Sequence, residues 1–164
     1  MSAALLVADS GPLIALARLD LLDLPTRYFE SVLVTSTVWE EVTRKPDVDE
    51  APRLSAAAEA ALIQVVADPE TIPETLLRTT IDAGERGAIA LGLELNAALL
   101  IDDRRARQVA IELGRPVVGT LGLLLRARED RLLPALRPLI ERLQATGYFM
   151  SNDLIVEILS SLGE

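Results

Sequence analysis

Two short apolar runs, Ala4–Ala8 and Ala97–Ile101, each stop at an aspartate. Runs of this length cross a domain core as strands, since the same length of helix is little more than one turn. Ser31–Val34, Leu62–Val66 and Pro116–Val118 have the same aliphatic, β-branched character. Helix-length segments separate the runs. The pattern predicts helices from Asp9 or Ser10 through Arg18, over Leu21–Glu30, from Thr35-Ser36-Thr37 through Val42, and over Ala51–Ala61. Further helices are expected over Asp82–Asn96, Asp102–Leu113, Leu121–Arg128, Leu132–Ala145 and Asn152–Leu162. Lys45-Pro46-Asp47 and Asp68–Pro73 read as breaks.

Strands alternating with helices imply right-handed crossovers and a parallel sheet. Half of the 164 residues are hydrophobic and only 3% aromatic, so the core is aliphatic. That suits an α/β fold whose helices cover both faces of a buried, mainly parallel sheet. The length fits a single domain over 1–164, and no repeat or linker divides it.

The chain has no cysteine and no histidine. Disulfides, thiolate zinc sites, cysteine nucleophiles and histidine bases are therefore excluded. Catalysis, if any, falls to carboxylates, hydroxyls, Arg or Lys. A net charge of −9 argues against a broad basic surface for duplex DNA but leaves local binding open. Lys45 is the sole lysine, while seven arginines lie within 104–131. Arginine is the better bidentate phosphate ligand, and an Arg-rich genome gives the same bias; both readings stand. The N-terminus carries no basic leader, and no apolar run approaches the ~20 residues of a membrane span. A cytoplasmic protein without membrane attachment is expected.

Parallel sheets bind ligands outside the carboxyl ends of their strands. Asp9 stands at that end of the first strand, and Asp102 and Asp103 at that end of Ala97–Ile101. Helix capping explains any one of them, but a cap needs only one of an adjacent pair. Glu41 borders the apolar face centred on Val38, Trp39 and Val42, whereas Glu40 points nearly opposite. Glu85 aligns with Ala88, Ile89 and Gly92 on a helix with little polar surface. Asp82-x-x-Glu85 is also a capping-box pattern, which accounts for Glu85 as well as a metal does. A cluster of such acids suits a hard cation such as Mg²⁺ or Mn²⁺, which prefers carboxylate oxygen and can activate water for attack on phosphorus.

Val7-Ala8-Asp9-Ser10-Gly11-Pro12-Leu13-Ile14-Ala15-Leu16 resembles the first motif of PIN-domain proteins. Val38-Trp39-Glu40-Glu41-Val42 resembles the second, with the acid falling on Glu41, and Gly84-Glu85-Arg86-Gly87-Ala88-Ile89-Ala90-Leu91 the third. Leu99-Leu100-Ile101-Asp102-Asp103-Arg104-Arg105-Ala106-Arg107 resembles the fourth, supported downstream by Val118-Gly119-Thr120-Leu121-Gly122-Leu123-Leu124. The resemblance implies a three-layer α/β/α sandwich, Mg²⁺ or Mn²⁺ as cofactor, and cleavage of single-stranded RNA. It makes Asp9, Glu41, Glu85 and Asp103 the catalytic acids, and Asp9, Glu85, Asp102 and Asp103 the metal ligands, with Asp102 the alternative to Asp103. Ser10, Arg104 and Arg105 would stand on the substrate side.

VapC-type members of the family are toxins that pair with a small antitoxin and commonly dimerise. Here the chain continues as an extension through 132–162, where Gly147–Leu159 could pack on the core, cover the cleft or form a dimer or antitoxin surface. A non-catalytic PIN-like binding module is the competing expectation. A phospho-acceptor receiver fits poorly, because it needs a lysine near a late strand and Lys45 is elsewhere.

Overall fold

The computed structural model describes residues 5–44 and 49–164. Its centre is a five-stranded sheet formed by β1 (Leu5–Ala8), β2 (Ser31–Thr35), β3 (Gln64–Val66), β4 (Ala98–Leu100) and β5 (Val117–Val118). The strands lie in the order β3-β2-β1-β4-β5, and every neighbouring pair is parallel. β1 is therefore central, pairing Leu6 with Val32 on one side and with Ala98 on the other.

Because side chains alternate across a strand, the sheet separates two apolar layers. Leu6, Ala8, Val32, Val34, Ala98 and Leu100 join one core. It is covered by α1 (Ser10–Arg18), α2 (Ser36–Thr43), α3 (Glu50–Glu59), α7 (Thr120–Glu129), α8 (Arg137–Ala145) and α9 (Asn152–Ser161). Val7, Leu33, Leu99 and Ile101 face the other core with α4 (Glu74–Leu77), α5 (Ala83–Leu95) and α6 (Arg104–Glu112). This is the three-layer α/β/α sandwich that the sequence pattern predicts. The C-terminal helices belong to the first layer, since Leu143 of α8 and Ile155 of α9 share its core with Leu6.

Some boundaries differ from expectation. Leu21–Glu30 is not a helix and contains only a 3-10 turn, Leu24–Arg27. Pro25 there has no N–H to donate and restricts the residue before it, and Asp20 has already left the helical region with a φ of 57°. The segment expected from Leu132 becomes helical only at Arg137, because Pro134 interrupts the first part while Pro138 sits in the tolerated first turn. α4 follows the expected loop Asp68–Pro73 and is a helix that the sequence pattern does not predict. The break at Lys45-Pro46-Asp47 and the first residue of the Ala4–Ala8 run lie outside the described residues.

α5 approaches β4 closely through a glycine. A Cβ on Gly92 would come within 2.8 Å of Cδ2 of the fully buried Leu99. Gly92→Ala is expected to destabilise the protein by about 1–3 kcal/mol despite the better helix propensity of alanine, because Leu99 has no free space to rotate into. Urea unfolding followed by circular dichroism measures the effect.

Candidate active site

The strand order turns back on itself between β1 and β4, so the loops leaving these strands diverge toward different layers at their carboxyl ends, the place where open parallel sheets bind their ligands. Asp9 follows β1 directly, and its N–H donates to the carbonyl of Leu100 at 3.0 Å. Its backbone has the extended geometry of a helix cap (φ −86°, ψ 170°), yet its side chain makes no capping hydrogen bond. Capping therefore does not account for this aspartate. Only 5% of Asp9 is exposed. Burial pushes its carboxyl up to about 7, opposed by the Ser10 N–H and reinforced by the charges of Glu85, Asp82 and Glu41.

The other acids reach this place from three elements. Thr35 caps α2, accepting from the Val38 N–H, and thereby sets the helix phase. Glu40 then pairs with Arg44 at 3.7 Å on the surface, while Glu41 turns toward α5. The Glu41 carboxyl is raised by partial burial and by Asp82, and the Ser10 hydroxyl lowers it. It lies against Gly84, where a Cβ would stand 2.6 Å from Oε1 of Glu41. The capping box of α5 is complete: Oδ1 of Asp82 accepts from the Glu85 N–H at 2.8 Å, and Oε2 of Glu85 accepts from the Asp82 N–H at 3.0 Å. Glu85 is nevertheless raised, first by burial and then by Asp82, Asp103 and Glu41, against the favourable Asp82 N–H. Capping and membership of the acidic cluster are both true of it.

The paired aspartates after β4 divide their work. Oδ1 of Asp103 caps α6 by accepting from the Ala106 N–H at 2.9 Å, and its charge reaches Glu85. Asp102 turns toward α7 instead. It accepts from the Thr120 N–H at 2.7 Å, from the Thr120 hydroxyl at 2.6 Å, and from the Tyr148 hydroxyl. Burial and the Asp102 charge together raise the Tyr148 hydroxyl. Arg104 and Arg105 are exposed at the start of α6, and Arg107 points inward to donate to the carbonyl of Ile101 at 2.9 Å.

Sequence reasoning missed three members. Asp82 reads as a cap and nothing more, although its charge acts on Asp9, Glu41 and Glu85. Thr120 and Tyr148 carry no local signal of their contact with Asp102. The donor set is all oxygen, which fits a hard divalent cation. Among the described residues no three acids close into a ready-made metal cage.

The sequence profile of the PIN-domain family DUF3368 matches residues 5–164. The chain belongs to the PIN-domain family. Its members are generally nucleases. No curated protein matches the sequence. Among solved structures, the fold is similar to a PilT N-terminus domain protein, SSO1118, from the hyperthermophilic archaeon Sulfolobus solfataricus P2, at 19% identity and a TM-score of 0.57. That alignment covers 75% of this chain and 92% of the archaeal one. PAE2754 from Pyrobaculum aerophilum is similar at 17% identity and a TM-score of 0.55, covering 77% and 91%. At these identities the likeness is one of PIN-type fold. Among the described residues no helix is long and apolar enough to cross a membrane.

Proposed function

We propose that this PIN-domain protein is a metal-dependent endoribonuclease that cuts single-stranded RNA with Mg²⁺ or Mn²⁺. One observation carries the reading: at the sheet's switch point the carboxyls of Asp9, Glu41 and Glu85 are all raised, by burial and by the charges of neighbouring acids that include Asp82 and, for Glu85, Asp103. Carboxylates crowded this way take up protons or a cation. In this reading Asp9, Glu41, Glu85 and Asp103 are the catalytic acids, and the ligands come from Asp9, Glu85 and the Asp102–Asp103 pair. Asp103 is favoured over Asp102, because Asp102 already accepts three hydrogen bonds. A bound divalent ion supplies Lewis acidity toward the scissile phosphate and its water.

The chain's own contribution is fixed negative charge. The Ser10 N–H favours the ionised form of Asp9, and the Ser10 hydroxyl that of Glu41. Arg104 and Arg105, exposed beside Asp103, are available to a flanking phosphate. We extend the proposal to residues 1–164 acting as one domain, to a cytoplasmic toxin held by a small antitoxin, and to a homodimer.

A fluorescent single-stranded oligoribonucleotide tests the reaction. Cleavage is expected with Mn²⁺, to stop with chelator, and to fall about 10²-fold or more in Asp103→Asn while the circular dichroism spectrum is retained. Undiminished cleavage in both Asp9→Asn and Asp103→Asn would sink the site. The completed caps on α5 and α6 favour a second reading, a non-catalytic binding module in which these acids serve only the helices. Calorimetry detecting no Mn²⁺ uptake, together with tight binding of a partner, selects that reading.

A further inference from the structure

The hydroxyl of Tyr148 donates to Oδ2 of Asp102 from 46 positions further along the chain. Tyr148 leaves the end of α8 just after Gly147, whose φ of +84° turns the backbone out of the helix. Its hydroxyl oxygen also lies 3.3 Å from the place a Cβ would take on Gly11, in the first turn of α1. The tyrosine thus touches both the turn after β4 and the helix that begins beside Asp9. Packing explains a half-buried aromatic ring, but the phenol needed only one acceptor, and any free carbonyl would have served. Its acceptor is instead a carboxylate already held by both Thr120 donors. Three donors leave Asp102 a single orientation. Asp102 is covalently joined to Asp103, so this clamp sets the turn from which Asp103 faces Glu85.

We propose that Tyr148 is a positioning residue of the carboxylate site: by fixing Asp102 it fixes the β4–α6 turn that presents Asp103. The site then requires a side chain from the C-terminal segment, and the extension is part of the site as well as part of the core. The proposal rests on the metal-dependent reading above.

The test is Mn²⁺ titration by calorimetry together with steady-state cleavage, on the full chain and its Tyr148→Phe variant. Mn²⁺ affinity is expected to fall about 10-fold, the lower end of the loss seen when an outer-shell partner of a metal ligand is removed, because Tyr148 acts on Asp103 through Asp102. kcat should fall in parallel, with KM for the oligoribonucleotide within about 2-fold, because substrate contacts are untouched. Gly11→Ala, which presses a methyl against the Tyr148 hydroxyl, should shift Mn²⁺ affinity in the same direction by less. A role in packing alone would lower the melting temperature of the metal-free protein and leave Mn²⁺ affinity unchanged. Wild-type affinity and kcat in Tyr148→Phe overturn the proposal on its own. A wild-type protein that takes up no Mn²⁺ overturns the metal-dependent reading, and this proposal with it.

Discussion

At pH 8 with a chelator present, Asp9→Asn is expected to resist urea better than the wild-type protein by about 2–4 kcal/mol. With Mn²⁺ restored, the same variant should cleave RNA about 10³-fold more slowly. Both effects have one origin. Burial and three neighbouring acids raise the Asp9 carboxyl from 3.8 to about 7 in the folded protein. A carboxyl raised by folding favours the folded state while it is protonated. That contribution is complete below 3.8 and is lost as the pH rises through about 7. Above that pH the protein carries a buried charge whose cost, from the difference between the two values, is about 4 kcal/mol. Asparagine keeps the shape and removes the charge. The gain should therefore shrink on acidification and vanish near pH 4. Mn²⁺ should stabilise the wild-type protein and leave the variant unmoved, since a ligand stabilises only the state that binds it. Equal urea midpoints for the two proteins at pH 8 would show that Asp9 is not under electrostatic stress.

This tension explains which parts of the site could be read in advance. Asp9 and the Asp102–Asp103 pair are visible because apolar strands end at them, and parallel sheets gather strand ends on one edge. Glu41 is separated from Glu40 by helical phase alone, and Glu40 pairs with Arg44 on the surface. The division between Asp102 and Asp103 was not legible. Adjacent acids share one motif position, and only the neighbours each meets, Thr120 and Tyr148 for one and Ala106 for the other, tell them apart. Asp82 reads from the sequence as the cap of α5 alone, because a complete capping box accounts for it and a cap is not expected to bear on charges in other elements. Tyr148 gave no signal at all, because its partner is 46 residues away. The layers of the fold were legible for the opposite reason, since strand alternation and helix periodicity are local. Where local rules conflicted, at Pro25 and Pro134, the proline prevailed over the apolar pattern around it.

Gly84→Ala provides the complementary case, a change that leaves the fold intact and empties part of the site. Gly84 occupies the first turn of α5, where alanine is intrinsically better than glycine by about 1 kcal/mol. The added Cβ would stand 2.6 Å from Oε1 of Glu41 and 3.2 Å from its Cδ, so one of the two must move. At Gly92 the obstructing atom belongs to Leu99, locked in the core. At Gly84 it is the end of a flexible carboxylate at the protein surface. Rotation of Glu41 into solvent relieves the contact without disturbing α2 or α5. Stability should accordingly stay within about 1 kcal/mol of wild type, while cleavage falls at least about 10²-fold on the role proposed for Glu41, since its carboxylate is carried out of reach. Glu41→Gln in the same background should add little, because the group it removes has already left. A Gly84→Ala protein with full activity would mean that Glu41 takes no part in the reaction, and that only Asp9, Glu85 and the aspartates after β4 remain to perform it.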